Sequence, residues 1–583
     1  MRFADRRGAR TVLPLVLGVL GIAAGWGFAE GLSDYVVFLA ISAVTSAIAI
    51  LGLGVVTGSA GMIALCQLTF AAIGTWVVCG LSYLHAPGGF LLWLLIGAAA
   101  SAACGIVIGL PALRLRGVNL AVVTLSFAAA ADVLLVQIQF PGSAQGIAVE
   151  RPTVFADDRS YLGLSVMILV LCCVATYFLQ RSRWGSTWKS VAFSERGTAA
   201  AGSSVAGGKL TAFAVSAALG GISGGLLAGQ VQLPFASSFS PLQSLALYVL
   251  AIMSGAYLID MAIFGGILWV LVPELLKRIG LAQDWGFVIF GALGVQALAS
   301  GGNLGQVIRN QWWKRSAAQC PVGTLADDAD PAAESPVDEP TPVEGHPPRP
   351  VLTVQGLKVS FGAVKALAGV DMMVAEGAVT GLIGPNGAGK STLVDALTGF
   401  LPDAAGSVAL DGEDLTGRSP AGRARQGLRR TFQQVRVPPT LTIEAYARFV
   451  ARRRLSDAEI TAVLDFFGCP PLRTRLAAVD VGTRRLVEVA AGVLARPRVL
   501  LLDEPAAGLS HEEHLELGRR LRQVPARFGI AVLLIEHDLE LVRSVCSELT
   551  VLDFGNVLAH GPTAEVLADP AVLKAYMGEV EAA

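Results

Sequence analysis

Charge is scarce in this sequence. Only 15% of the 583 residues are Asp, Glu, Lys or Arg, while 53% are hydrophobic; soluble proteins carry about 25% charged residues. Such a chain cannot be soluble throughout. The formal net charge is −1, so no basic field supports nucleic acid as a partner. Histidine is scarce too, six in all, and only His85 falls in the apolar N-terminal half, which argues against a metal site. Cysteine shows no pattern. Five of the eight (Cys66, Cys79, Cys104, Cys172 and Cys173) sit inside apolar runs, with no C-x-x-C pair and no Cys/His cluster. Neither a disulfide framework nor a zinc site is indicated.

The shortage of charge is uneven. Up to about Ser300 the chain is a series of long apolar runs, and after about Val351 it reads like a soluble α/β protein. Behind the basic start (Arg2, Arg6, Arg7, Arg10), Val12–Phe28 is too long for the apolar part of a cleaved leader and lacks a small-x-small site, so it reads as a first membrane helix. Runs able to span about 30 Å of hydrocarbon follow at Tyr35–Val56, Met62–Leu84, Phe90–Leu110, Val118–Ile138, Tyr161–Leu179, Leu210–Val231, Ser244–Leu258, Ala262–Leu276 and Trp285–Ala299. About eight to ten helices are expected, with one broken helix or two around Asp260. The glycines of Ala218–Gly225 fit close helix packing better than a helix break. Asp132, ionisable within an apolar run, has two open readings: a pathway role or a buried hydrogen bond. Arg114 and Arg116 in one loop, and Arg181, Arg183, Lys189, Arg196 and Lys209 in another, put both loops in the cytoplasm by the positive-inside rule. From Ala317 to Pro350 the chain is Pro-, Ala- and acid-rich without apolar periodicity, a solvated linker between two modules.

The second module opens with two alternating stretches, Val351–Val359 and Val370–Val374, read as antiparallel strands. Next comes Gly384-Pro385-Asn386-Gly387-Ala388-Gly389-Lys390-Ser391-Thr392, between an apolar β-like run and a helical pattern. This is a phosphate-binding loop. Its glycines let backbone N–H groups curl around phosphate oxygens, Lys390 reaches the β- and γ-phosphates of ATP, and the Ser391 hydroxyl sits on Mg²⁺. Val499–Leu502 is a buried parallel strand delivering Asp503 to Mg²⁺, with Glu504 beside it to orient or deprotonate the attacking water. Ala531–Ile535 is another buried strand, ending at Glu536-His537-Asp538.

With Phe361-Gly362, Arg430-Thr431-Phe432-Gln433 and Ala506-Ala507-Gly508-Leu509, these motifs resemble those of ABC ATPases. The resemblance implies that Phe361 stacks on adenine (a core Phe is the other reading), that Gln433 contacts Mg²⁺ and the attacking water, and that His537 contacts the γ-phosphate. One element departs from the family. Where the pattern is L-S-x-G-Q, this chain has Val479-Asp480-Val481-Gly482-Thr483. The family's serine serves ATP bound on the opposite subunit, and a carboxylate there repels phosphate, so the signature reads as impaired. The C-terminal Leu552-Asp553-Phe554-Gly555, Gly561-Pro562 and Tyr576-Met577-Gly578-Glu579 resemble the branched-chain amino acid (Liv-type) ATPase.

In the apolar half, Gly58–Phe70 resembles a region lining the route of Liv-type permeases, with Ala64 and Cys66 where Ser and Gly are usual. The loop Ser194–Gly202, with Glu195, Arg196, Ala199 and Gly202, resembles the coupling segment such permeases dock into their ATPase. The expected architecture is a polytopic α-helical membrane domain (1–316), the linker (317–350) and an α/β P-loop ABC ATPase domain (351–583). The resemblance implies a fused subunit of an ABC importer for branched-chain or related amino acids in the inner (plasma) membrane. It also implies an extracytoplasmic solute-binding protein, a second permease and a second ATPase as partners. Urea or a short amide is an alternative cargo; an ATP-gated sensor or channel is an alternative of another class. The apolar half excludes a soluble ABC protein.

Overall fold

The computed structural model describes residues 15–23, 25–27, 30–300 and 349–577. The basic segment Met1–Arg10, residues 317–348 of the linker, and the pair Gly578-Glu579 lie outside the described residues. The chain divides into two compact units, one of Met1–Trp188 with Ala206–Ala332 and the other of Lys189–Val205 with Ala333–Ala583. The Glu195–Gly202 segment thus falls in the nucleotide-binding unit, although membrane-type helices flank it in sequence.

Among the described residues seven helices are long and apolar enough to cross a membrane: Asp34–Ser59, Gly89–Ala112, Val118–Gln145, Asp158–Arg181, Val205–Val231, Ala236–Ser254 and Ile259–Arg278. Three shorter apolar helices accompany them, at Leu15–Gly27, Gln67–Tyr83 and Trp285–Gln296. The region around Asp260 resolves into two helices. Pro241–Ser254 ends at Gly255, whose φ of 78° is left-handed, and Asp260 lies in the first turn of Ile259–Arg278.

The span expected over Met62–Leu84 starts late. Its helix is Gln67–Tyr83, preceded by a π-helical turn at Gly54–Ser59 and by non-helical residues 60–66. An apolar run does not by itself make a helix: Gly61 turns left-handed, at φ 68°. Polar side chains of the bundle bond across this break. Leu65 N–H donates to Thr124 Oγ1 at 3.0 Å. The buried Gln67 amide donates to the carbonyls of Ala49 and Ser216, at 3.2 and 3.1 Å, and accepts from Ser216 Oγ at 3.0 Å. Irregular backbone at membrane depth persists only where protein satisfies it in this way, which explains why polar residues stand in this run.

Val205–Val231 is one unbroken helix, so its glycines serve packing. A Cβ on Gly224 would lie 1.8 Å from the Ala71 carbonyl oxygen, and one on Gly74 would lie 2.2 Å from that of Gly221. Asp132 is half-buried on Val118–Ile138 and makes no hydrogen bond or ion pair among the described residues. The buried-bond reading of Asp132 is therefore not met.

The described residues of the second unit form two sheets. An antiparallel one has the order β2-β1-β4-β5, formed by β1 (Pro350–Phe361), β2 (Val364–Ala375), β4 (Ala405–Leu410) and β5 (Glu413–Asp414). The other has the order β10-β9-β3-β8-β7-β6, with β3 (Val379–Ile383), β6 (Leu428–Arg430), β7 (Val499–Asp503), β8 (Ala531–Ile535), β9 (Glu548–Asp553) and β10 (Asn556–Pro562). Its pairs are parallel except β9 with β10. Every residue of β3, β7 and β8 is buried, which favours the aliphatic runs Val499–Leu502 and Ala531–Ile535; β3 also buries Thr380 and Gly381. Their carboxyl ends project the Gly384 loop, Asp503-Glu504 and Glu536-His537 at one edge, the position where open α/β sheets bind ligands.

Candidate functional site

The loop between β3 and the helix Lys390–Leu397 is fixed by close backbone approach. A Cβ on Gly384 would meet the Leu552 carbonyl oxygen at 2.2 Å, and one on Gly389 that of Ala366 at 2.6 Å. Gly387 and Gly389 have left-handed φ values of 81° and 103°. Ala388 N–H donates to the Pro385 carbonyl at 3.1 Å, closing the turn that carries Asn386 at its exposed tip. Lys390 Nζ donates to the carbonyls of Gly384 (2.5 Å) and Pro385 (2.9 Å), so the loop is wrapped around its own ammonium. Ser391 is exposed and Thr392 half-buried in the first turn of the helix. Phe361, at the end of β1, is 55% exposed, which disposes of the core-Phe reading and leaves its ring face open.

Across from this loop three side chains converge. Gln433 Nε2 donates to Glu504 Oε2 at 3.0 Å, and His537 Nδ1 lies 3.9 Å from Glu504 Oε1. Glu504 is held at a left-handed φ of 47° with its N–H on the Ile535 carbonyl at 2.9 Å. For a residue with a Cβ that conformation costs about 1–2 kcal/mol, and it turns the carboxylate out of the sheet toward Gln433. Asp503 is buried, with its N–H on Thr431 Oγ1 at 3.1 Å. Burial raises its carboxyl above the ordinary range, opposed by the Arg430 guanidinium, which donates to Oδ2 at 3.3 Å.

The signature segment has a local role that its sequence hid. Asp480 is the N-cap of the helix Val481–Leu494, accepting from Thr483 N–H at 2.8 Å and from Thr483 Oγ1 at 2.6 Å. Those bonds hold its carboxyl below the ordinary aspartate range. Gly482 is buried and Val481 exposed in the same turn, and a Cβ on Gly482 would touch Leu509 at 3.0 Å. One turn on, Arg485 donates to the carbonyls of Phe432 (2.5 Å) and Gln433, tying this helix to the backbone at Gln433.

Glu195–Ala200 is a short helix capped by Ser194, whose Oγ accepts from Gly197 N–H at 3.1 Å. Thr198, Ala199, Ala200 and Ala201 are buried, and Gly202 closes the segment at φ 74°. Arg429 donates to the Ala200 carbonyl at 3.3 Å and Arg452 to Ser203 Oγ at 2.9 Å. Burial and then the neighbouring Arg452 charge bring Arg429 down to about 10. Arg196 reaches Asp395 Oδ2 at 2.7 Å. Arg430 opens the Gln433 motif in the sequence, but no role for Asp395, Arg429, Arg452 or Arg485 is read there.

Three family models match the chain. "ABC transporter" matches residues 367–507 and "Branched-chain amino acid transport system / permease component" residues 35–298. "Branched-chain amino acid ATP-binding cassette transporter" matches 556–582. Among curated proteins, the chain is 37% identical over 255 residues to the high-affinity branched-chain amino acid transport ATP-binding protein BraF of Pseudomonas aeruginosa, covering 40% of this chain and 99% of that protein. It is 31% identical over 252 residues to LivG of Escherichia coli, described in the same words, with 40% and 99% covered. A crystal structure of a nucleotide-free ATP-binding cassette from an ABC transporter aligns at 28% identity and a TM-score of 0.36, covering 39% of this chain and 99% of that one.

Proposed function

Because the chain belongs to the branched-chain amino acid ATP-binding cassette transporter family, with permease and ATPase joined in one polypeptide, we propose that it couples ATP hydrolysis to the uptake of branched-chain or related amino acids. The observation that carries this reading is the convergence of Gln433, Glu504 and His537 in the unit that also holds Glu195–Gly202. A protein that only binds nucleotide needs no positioned base for water, so a gated sensor or channel is the weaker reading.

In the proposed site Phe361 stacks on adenine, and the loop Gly384–Thr392 takes the phosphates with Lys390 on the β- and γ-oxygens. Ser391, Gln433 and Asp503 would hold Mg²⁺, whose charge would offset that of the phosphates when it is bound. These are hard oxygen donors. Oxygen donors of this kind suit an ion that keeps water and phosphate oxygens among its ligands. Glu504 takes the proton of the attacking water, Gln433 orients that water, and His537 holds the γ-phosphate.

The basic loops and the ATPase lie in the cytoplasm, and the chain works with a solute-binding protein outside, a second permease and a second ATPase. Val118–Ile138 fits the face toward that second permease: only 11% of its apolar window is buried, and Asp132 on it lacks a partner among the described residues. The test is ATP-driven uptake in vesicles holding the chain with its partner subunits, against leucine, urea and a simple sugar. Saturable leucine uptake is expected. Uptake of urea alone moves the cargo to the amide class, and ATP turnover with no uptake of any solute overturns the transport reading.

Asp480 also makes a prediction. Its carboxylate only accepts hydrogen bonds, so it lacks the O–H that a serine capping the same helix could donate to phosphate, and its charge opposes phosphate. Asp480→Ser keeps an N-cap, so stability should change by no more than about 0.5 kcal/mol, while ATP turnover with the partner ATPase should rise. Unchanged turnover, with equal hydrolysis at both sites, overturns the impaired-signature reading.

A further inference from the structure

Four charged side chains form an unbroken line within the nucleotide-binding unit. Arg196 Nη2 donates to Asp395 Oδ2 at 2.7 Å, Arg430 Nη1 donates to Asp395 Oδ1 at 2.5 Å, and Arg430 Nη2 donates to Asp503 Oδ2 at 3.3 Å. The two inner members are shielded, with side-chain exposures of 4% for Arg430 and 19% for Asp395, whereas Arg196 at the outer end is 48% exposed. The rings of Phe400 and Phe432 meet edge-on at 5.9 Å and wall the line. The Arg430 guanidinium lies 4.3 Å from the Phe432 centroid, and that of Arg196 lies 5.0 Å from Phe400. Away from bulk water, charges a few ångströms apart interact several times more strongly than at the surface.

Each inner member is shared between two charged partners. Asp395 gives one oxygen to each arginine, and Arg430 divides its two Nη groups between two carboxylates, with the longer contact to Asp503, while its Nη1 also donates to Thr398 Oγ1 and its Nε to the Thr431 carbonyl, both at 3.2 Å. Strengthening either contact of a shared group weakens the other. A divalent cation arriving at Asp503 competes with the guanidinium for the same carboxylate, because like charges at one oxygen repel. Arg430 is then driven toward Asp395, and Asp395, neutralised from within, holds Arg196 less.

We propose that the line Arg196–Asp395–Arg430–Asp503 is a charge relay linking cation occupancy at Asp503 to the grip of the nucleotide-binding unit on the Glu195–Ala200 segment. Arg196, Asp395 and Arg430 act as positioning residues, not catalytic ones. The relay rests on the reading of Asp503 as the cation ligand and of Glu195–Gly202 as the coupling segment. Coupling between two sites is reciprocal, so changes at the Arg196 end must alter cation affinity at the Asp503 end. The sign depends on which link is cut. Arg196→Gln frees Asp395 for Arg430, relaxes the hold on Asp503 and tightens cation binding. Asp395→Asn leaves Arg430 to Asp503 alone and weakens it.

The experiment measures the Mg²⁺ concentration giving half-maximal binding of a fluorescent ATP analogue to the full-length chain. All variants carry Glu504→Gln, so no turnover enters the reading. Arg196→Gln should lower that concentration about fivefold and Asp395→Asn should raise it about fivefold, at the lower end of typical site–site coupling. The double variant should match Asp395→Asn, since Arg196 acts only through Asp395. Shifts of the same sign, no shift, or an additive double variant overturn the relay. Asp503→Asn separates the two failures. If it leaves the Mg²⁺ dependence intact, the cation reading of Asp503 falls and the relay with it. If it removes that dependence while the Arg196 and Asp395 variants bind like the parent, only the relay falls. Arg196 is half-exposed, so Arg196→Gln keeps the test decisive where Asp395→Asn does not fold.

Discussion

Glu504→Gln is expected to stop ATP-driven uptake while ATP stays bound. The substitution preserves the size of the side chain and its acceptor for Gln433 Nε2, now 3.0 Å away, so the arrangement around it survives. What disappears is the base. A positioned general base contributes about 10²–10⁴-fold to a rate, and nothing near Glu504 replaces it. Glu536 is buried behind it, its carboxyl raised by burial, and its Oε1 accepts from Ala506 N–H at 3.3 Å. His537 is 71% exposed and has its Nδ1 between the two glutamates. Lys390→Ala should also stop uptake, by the other route: loss of nucleotide affinity. The ammonium that now bonds the Gly384 and Pro385 carbonyls is the only cation this loop contributes. Nucleotide trapping and vesicle uptake measured together separate the two. Glu504→Gln should trap ATP without transport and Lys390→Ala should do neither. Undiminished uptake in either variant overturns the proposed mechanism.

How far the sequence discloses such a site depends on how local its determinants are. The phosphate loop and the strand before Asp503 are legible because a turn motif and an aliphatic run encode themselves within a few residues: β3 and β7 are buried throughout, and Val499–Leu502 is aliphatic at every position. Asp480 was half-legible. Its charge reads as a defect in a phosphate-binding motif, yet an aspartate three residues before a threonine at a helix start is also a capping pattern, and the structure makes that bond. The relay was illegible. Asp395 meets Arg196 from 199 positions away and Arg430 from 35, and one sequence gives no sign that these charges share a site. Helix starts in the apolar half were illegible for the opposite reason. Residues 60–66 are as apolar as the spans around them, and what unwinds them is a left-handed glycine and partners on distant helices, Thr124 and Ser216.

The second large effect belongs to that apolar half. Gly224→Ala should destabilise the membrane unit by about 3 kcal/mol, the upper range for forced overpacking, whereas Gly291→Ala should leave it unchanged. Both glycines lie in apolar helices, Val205–Val231 and Trp285–Ser300, so helix propensity favours alanine equally at both. The difference is what the added methyl meets. At Gly224 it would stand 1.8 Å from the Ala71 carbonyl oxygen and 2.5 Å from its carbon, both backbone atoms of the neighbouring helix; at Gly291 nothing lies within 4 Å. A flexible side chain could swing away from a new methyl, but a helix backbone cannot. The helices must separate, and Thr75 Oγ1 then loses its 2.8 Å bond to the Gly224 carbonyl. Without a hydrophobic force between helices in lipid, such contact and bonding between backbones is what holds them together. Thermal unfolding of the detergent-solubilised chain, followed by size exclusion, should give a lowered midpoint for Gly224→Ala and a parental one for Gly291→Ala. Equal midpoints would mean that the close approach of these two helices contributes little, and that the bonds between Gln67 and Ser216 farther along the same pair carry the packing instead.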